Sequence, residues 1–289
     1  MNQLYFDLGE LRKGNIYNLQ SGIKTDEGHS FEIDEWIGRG GNASVFKGKN
    51  RSTGEECALK FLMHTNTNST KRFLREVKLL RALDNDHIIK YIGSGRVCVT
   101  KNKSNKEISI PFVVMELADC NLQEMIELKG RLPYEQYAGQ FRGLAGALAT
   151  LHKNSEAVHR DIKPENILIV GDRWLLADYG LCSIVTPSED EIIPDGKNIG
   201  PKYWMSPEAH NLRLGAVDCI NSSSDVFQLA SIFWYVVTGR HPSGVVIEDD
   251  WTGPKKLFEP IYNSLFHNYR KRPKNGDDFF ERLERALSS

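Results

Sequence analysis

HRDIKPENILI, residues 159–169, places an Asp, a Lys and an Asn inside one short loop that runs straight into an apolar strand. At this spacing a carboxylate on Asp161 can meet an incoming hydroxyl while Asn166 holds a metal ion beside it. A polar turn could contain these letters by chance, but here the whole run of eleven residues fits the same chemistry.

Away from this loop the chain changes texture once. FEIDEWIG, from Phe31, alternates like a strand, and GRGGNASVFKG is a Gly-rich turn entering a second one. ECALKFLM forms a third strand and is followed by a loop rich in Ser, Thr and Asn. KRFLREVKLLRAL puts Phe73, Val77 and Leu80 on one helical face. A strand is expected around Tyr91 to Val99, a surface hairpin loop at residues 101–107, and a buried strand in PFVVMELA. Beyond Asp119 the apolar spacing is helical: NLQEMIEL, YEQYAGQFRGLAGALATLH, SSDVFQLASIFWYVVTG and FFERLERAL. A strand-rich third followed by a helix-rich remainder predicts an α+β protein of two lobes, with a cleft near residues 116–121. The expected organisation is an N-terminal extension over 1–30, read as a loosely ordered arm, an N-lobe over 31–117 and a C-lobe over 118–289.

Composition narrows the function. The 289 residues carry 40% hydrophobic and 26% charged side chains, ordinary for a globular protein large enough for two cores. A net charge of −1 supplies no global field to hold nucleic acid or an anionic membrane, so phosphate recognition has to be local. No uncharged apolar run is long enough for a bilayer, and the first twenty residues lack a signal-peptide plan. Five scattered cysteines with no C-x-x-C pair read as reduced thiols, hence a cytoplasmic setting.

Together these motifs resemble the eukaryotic-type protein kinase superfamily, serine/threonine type, in correct order over residues 32–287. The resemblance implies a bilobal fold: a small antiparallel β-sheet lobe with one helix, and a larger, mainly helical lobe. It implies ATP and Mg²⁺, with Mn²⁺ as an alternative, and protein substrates. Asp161 then corresponds to the catalytic Asp, Lys163 to the residue that neutralises the transferring phosphoryl group, and Asn166 and Asp178 to the metal ligands. Lys60 corresponds to the strand lysine on the α- and β-phosphates, and Glu76 to its helix partner. Gly38 and Gly40 match the phosphate-covering loop, whose third glycine is here Ala43. Ile37, Val45, Ala58, Met115 and Leu168 match the adenine pocket, with the backbone of Glu116 and Ala118 reading the adenine edge. His159, Tyr179, Leu80 and Tyr91 match residues stacked in active kinases, His159 being a packed core histidine. Glu208 is expected to pair with Arg272, and Asp225 to anchor the catalytic loop.

Two features depart from the family pattern. Pro201 stands where serine/threonine kinases usually carry a threonine, and Trp204–Met205 is similar to tyrosine and tyrosine-kinase-like enzymes. Lys163-Pro164-Glu165 is the serine/threonine form and is weighted more heavily. The alternatives are a dual-specificity or tyrosine-directed kinase, a pseudokinase scaffold, and a small-molecule kinase of related fold; retention of Lys60, Glu76, Asp161, Asn166 and Asp178 argues against the scaffold. Arg160, next to Asp161, implies control by loop phosphorylation, with Ser183, Thr186 and Ser188 as acceptors, or acidic loop residues in their place.

Overall fold

The computed structural model describes residues 2–6, 15–39, 43–63, 66–101, 107–154, 157–184, 201 and 203–288. The chain divides into two compact units, Met1–Ala82 with Lys90–Ala118, and Leu83–Ile89 with Asp119–Ser289.

The first unit is a sheet with one helix. Its strands are β1 (Asn2–Phe6), β2 (Asn15–Leu19), β3 (Gly22–Lys24), β4 (Ser30–Arg39), β5 (Ala43–Asn50), β6 (Glu56–Leu62), β7 (Tyr91–Lys101) and β8 (Glu107–Glu116). They form one antiparallel sheet in the order β1-β2-β7-β8-β6-β5-β4-β3. The described part of residues 1–30 is therefore no loose arm. Asn2–Phe6 pairs with Asn15–Leu19, and Tyr17 pairs with Lys101 at the far side of the sheet. Backbone hydrogen bonds to β7 hold a segment whose own composition gives little sign of order.

Strand alternation delivers the sheet's core. Phe46, Leu59, Phe61, Phe112 and Val114 are buried together, with Phe46 edge-on to Phe61 at 5.8 Å. Helix α1 (Thr67–Ala82) packs Phe73 against Leu62 and Val113, with Val77 alongside. The helix begins four residues before the expected KRFL start. Asn66 supplies the cap: its Oδ1 accepts the Ser69 amide at 2.8 Å and its carbonyl the Thr70 amide at 3.0 Å. The hairpin expected at 101–107 is present in its stems, Thr100 pairing with Glu107.

The second unit holds β9 (Cys120–Asn121), α2 (Leu122–Lys129), α3 (Tyr134–Asn154), β10 (Ala157–Val158), β11 (Ile167–Val170), β12 (Arg173–Leu176), β13 (Ser183–Ile184), α4 (Pro207–Arg213), α5 (Ser222–Thr238), α6 (Lys255–Ser264) and α7 (Gly276–Ser288). Helix α5 is enclosed on nearly all sides: Val226, Leu229, Ala230, Ile232 and Phe233 are fully buried. Phe233 stacks on Phe141 of α3 at 3.8 Å and lies 5.9 Å from Phe279 of α7. Each such ring contributes about 1.5–3 kcal/mol by burial alone. Gly276 lets α7 approach α3, since a Cβ there would sit 2.4 Å from the Ala149 nitrogen. The α+β make-up expected from the sequence is the one observed.

Candidate active site

The residues singled out in the sequence fall in both units. In the first, Lys60 lies on β6 with Val45 and Val113 as its cross-strand neighbours. Its Nζ donates to Oε1 of Glu76 on α1 at 2.6 Å. Glu76 is 3% exposed, so the pair replaces the hydration both charges have lost. Ala58 is buried opposite the half-buried Met115. Gly38 pairs with Val45, and a Cβ on it would meet no atom within 4 Å. Ile37, one residue earlier on β4, is 43% exposed. Gly40 lies outside the described residues. Glu116 is tied to Lys90 in both directions: its amide donates to the Lys90 carbonyl at 3.1 Å, and its Oε1 accepts the Lys90 amide at 2.7 Å. Ala118 follows it, half-buried.

In the second unit the loop after β10 carries Asp161, Lys163 and Asn166 within touching distance of one another. Asn166 donates from Nδ2 to the Asp161 carbonyl at 2.8 Å and to its Oδ2 at 2.9 Å. Lys163 Nζ stands 3.3 Å from the same Oδ2. Asp161 is 8% exposed. Burial pushes its carboxyl above the ordinary range, opposed by Lys163 and His159 and reinforced by the nearby charge of Asp178. Asp178 adopts a left-handed backbone, φ 63°, between β12 and the buried Tyr179. Leu168, on β11, is half-buried and pairs with Leu175 and Asn121.

Asp225, on α5, anchors this loop. Its Oδ2 accepts the His159 amide at 2.6 Å and its Oδ1 the Arg160 amide at 2.9 Å. His152 Nε2 lies 3.0 Å from Oδ2, and because His152 Nδ1 accepts the Gly276 amide at 2.9 Å, Nε2 is the donor. Arg160 takes a left-handed φ of 70°, a strained turn these bonds sustain. Two anchors were not anticipated. Gln228 Oε1 accepts the Ile162 amide at 3.3 Å, and His152 is the other. Gln228 stands three residues after Asp225 on the same helical face, a spacing that could have found it.

His159 is fully buried beside Tyr179, ring centroids 5.0 Å apart. Burial holds its imidazole below the ordinary range against the pull of Asp225, Asp161 and Asp178. It is the packed core histidine expected. Arg272 meets Glu208 at 2.8 Å, both buried. Trp204 packs on Tyr235 and His241 at 5.5 and 4.8 Å. Ser183 is 4% exposed, which withholds its hydroxyl from a phosphorylating enzyme and corrects its reading as an acceptor. Thr186 and Ser188 lie outside the described residues.

The protein kinase domain model matches residues 31–282, and the chain belongs to the protein kinase family. It is 31% identical over 215 residues to a "Probable serine/threonine-protein kinase" of Dictyostelium discoideum, covering 73% of this chain and 40% of that one. A protein of the same description from Clostridium acetobutylicum is 27% identical over 226 residues, 76% of this chain and 32% of that one. A human serine/threonine-protein kinase/endoribonuclease is 31% identical over 228 residues, 74% of this chain and 22% of that one. The chain thus spans less than half the length of these curated relatives. Protein kinase domains use ATP with a divalent metal. Among the described residues no helix is long and apolar enough to cross a membrane.

Proposed function

We propose that this chain transfers the γ-phosphoryl group of Mg-ATP to serine and threonine hydroxyls of proteins, itself included. The observation that carries the reading is the contact of Asp161 with both Asn166 and Lys163. Asp161 orients the substrate hydroxyl and accepts its proton. The new oxygen–phosphorus bond forms as the bond from the γ-phosphorus to the β–γ bridging oxygen breaks, leaving ADP and a phosphoester. Burial makes Asp161 a stronger base than a solvated carboxylate. Lys163 neutralises charge on the group in flight, and Lys60, aligned by Glu76, holds the α- and β-phosphates.

The donor set suits Mg²⁺, with Mn²⁺ as an alternative. Asn166 and Asp178 offer only hard oxygen ligands. The Asn166 amide nitrogen is committed to Asp161, which leaves Oδ1 as that side chain's acceptor for a cation. Among the described residues no three His, Cys, Asp or Glu side chains could hold a metal, which fits an ion that takes its remaining ligands from nucleotide phosphates and water. When bound, the metal supplies charge neutralisation on the phosphates.

In this reading Ile37, Val45, Ala58, Met115 and Leu168 contact the nucleoside, Gly38 and Gly40 cover its phosphates, and the backbone of Glu116 and Ala118 reads the adenine edge. The partners are ATP and protein substrates, not nucleic acid or membrane. Five free cysteines support a reducing, cytoplasmic location.

The test is ³²P transfer from ATP to a mixed protein substrate and to the chain itself, followed by phosphoamino-acid analysis. Asp161→Ala and Lys60→Met are expected to lower incorporation at least about a hundredfold with unchanged circular dichroism. Asp178→Asn is expected to abolish the Mg²⁺-dependent rise in melting temperature given by ATP. Equal incorporation by wild type and Asp161→Ala overturns the assignment, and label confined to tyrosine overturns the hydroxyl class.

A further inference from the structure

Residues 25–29 form a closed turn between β3 and β4. The Thr25 amide donates to the His29 carbonyl at 2.9 Å, and the Gly28 amide to the Thr25 carbonyl at 3.0 Å. The turn is fastened to β7, its Asp26 amide donating to the Ser94 carbonyl at 2.8 Å. Glu27 extends this fastening. Its Oε1 accepts the Tyr91 hydroxyl at 2.5 Å and its Oε2 the Ser94 amide at 3.2 Å. The Ser94 hydroxyl completes the ring at 2.8 Å from the Tyr91 oxygen. Arg81, in the last turn of α1, lies 3.9 Å from the same Glu27 oxygen. A register shift between Tyr91 and Gly93 shapes the strand here. Gly93 leaves room for the turn, since a Cβ on it would lie 2.9 Å from Thr25 Cγ2.

Tyr91 has two ends with different work. Its ring packs against Leu62, Phe73 and Val113, with Val77 and Met115 in the same group. Phe73 and Val77 belong to α1, and Leu62 is two residues beyond Lys60 on β6. The helix that carries Glu76 therefore rests on a bed of which Tyr91 is one wall. A phenylalanine would fill that wall equally well. The hydroxyl is surplus to packing, and it spends its proton on a carboxylate, the stronger kind of acceptor. Burial pushes the Glu27 carboxyl up, but hydrogen bonds from Tyr91, from the Ser94 and Glu27 amides and from Thr25 together outweigh it and hold the group below its ordinary range, so it is charged at neutral pH.

We propose that Glu27 is a positioning residue for phosphoryl transfer: through Tyr91 and Arg81 it sets α1 so that Glu76 meets Lys60. The inference rests on the kinase reading of the Lys60–Glu76 pair. It gives the turn before β4 a function in the reaction, although the turn contributes no group that touches a reactant.

Hydrogen exchange over residues 67–82 and steady-state kinetics test it on the full chain. The variants are Glu27→Ala, Tyr91→Phe, the double variant, and Glu27→Gln, which keeps an acceptor but not the charge. Exchange in α1 is expected to quicken about tenfold in both single variants with global melting unchanged. The value of kcat is expected to fall about three- to tenfold, with KM for the protein substrate unmoved. The double variant should be no worse than the poorer single one, because both substitutions break one linkage. Glu27→Gln should lie between wild type and Glu27→Ala. Wild-type exchange in α1 for both Glu27→Ala and Tyr91→Phe overturns the proposal, whatever the kinetics show. If wild type itself shows no Asp161-dependent turnover, the kinase reading fails, and exchange alone still decides whether Glu27 holds the helix.

Discussion

Asn166 grips Asp161 twice, donating from one amide nitrogen to the carbonyl at 2.8 Å and to the carboxylate at 2.9 Å. A six-residue loop, Asp161 to Asn166, is thereby closed on itself, and the carboxylate cannot rotate without breaking a bond in a nearly dry site. The grip also commits the amide nitrogen to Asp161, so that in the proposed reading Oδ1 is the atom that would meet a cation. Asn166→Asp keeps the shape and reverses the chemistry: it removes a donor and sets a second carboxylate against Asp161. Like charges so close push Asp161 further up. The expected result is a loss of about a hundredfold in kcat, with the acid limb of the pH–rate profile displaced to higher pH. An unaltered limb would mean that Asn166 does not control Asp161.

Asp225 satisfies three donors at a site with no solvent access: the amides of His159 and Arg160 and the Nε2 of His152. Asp225→Ala removes the acceptor of all three donors. A loss of about 3 kcal/mol in urea unfolding is expected, with turnover falling further than stability because the His159–Asp161 turn relaxes. Asp225→Asn retains one acceptor and should cost about half as much. Equal midpoints for wild type and Asp225→Ala would refute the anchoring role.

The raised Asp161 carboxyl has a calculable sign. Its folded value lies above the ordinary 3.8, so the native state holds this proton more tightly than the unfolded chain. Stability therefore falls as pH rises through that window, and the deficit persists at neutral pH. His159, held below its ordinary value, acts in the other direction and is common to wild type and variant. Asp161→Asn removes the penalty. The variant should be inactive yet melt higher than wild type at pH 7, with the difference vanishing below pH 3.8. Melting curves of the nucleotide-free protein between pH 3 and 8 check this; a variant that melts lower at pH 7 would contradict it.

Much of this was legible in local patterns. Alternation marks β4, a Gly-rich turn announces β5, apolar runs mark β6 and β8, helical spacing marks α1, and the loop at 159–169 carries its chemistry in one short run. What escaped the sequence depends on partners remote in the chain. Residues 2–6 and 15–19 become strands because β7, some eighty residues later, offers an open edge. Asn66 reads as a loop residue until it is seen capping α1. Glu27 falls in the stretch expected to be a loosely ordered arm, and only the fold brings Tyr91 to it. Such pairings are set by which edges and hydroxyls remain unpaired once the sheet has formed, and no local window contains that information.

Arg272 offers a test of what a buried ion pair is for. Its guanidinium meets Glu208 Oε1 at 2.8 Å and Oε2 at 3.3 Å, and it also donates to three carbonyls: Phe266 at 2.5 Å, His267 at 2.9 Å and Ser223 at 3.2 Å. It also lies over the Phe227 ring at 4.9 Å. If the pair with Glu208 were its whole role, replacing both charges with apolar side chains should restore stability, as it does for many buried pairs. The carbonyls argue otherwise, since an apolar group leaves all three without a donor. Arg272→Lys, which loses the planar fork, is expected to cost about 3–5 kcal/mol. The double variant Arg272→Met/Glu208→Leu should recover only part of that loss in urea unfolding. Full recovery would show that Glu208 alone is the reason Arg272 is there.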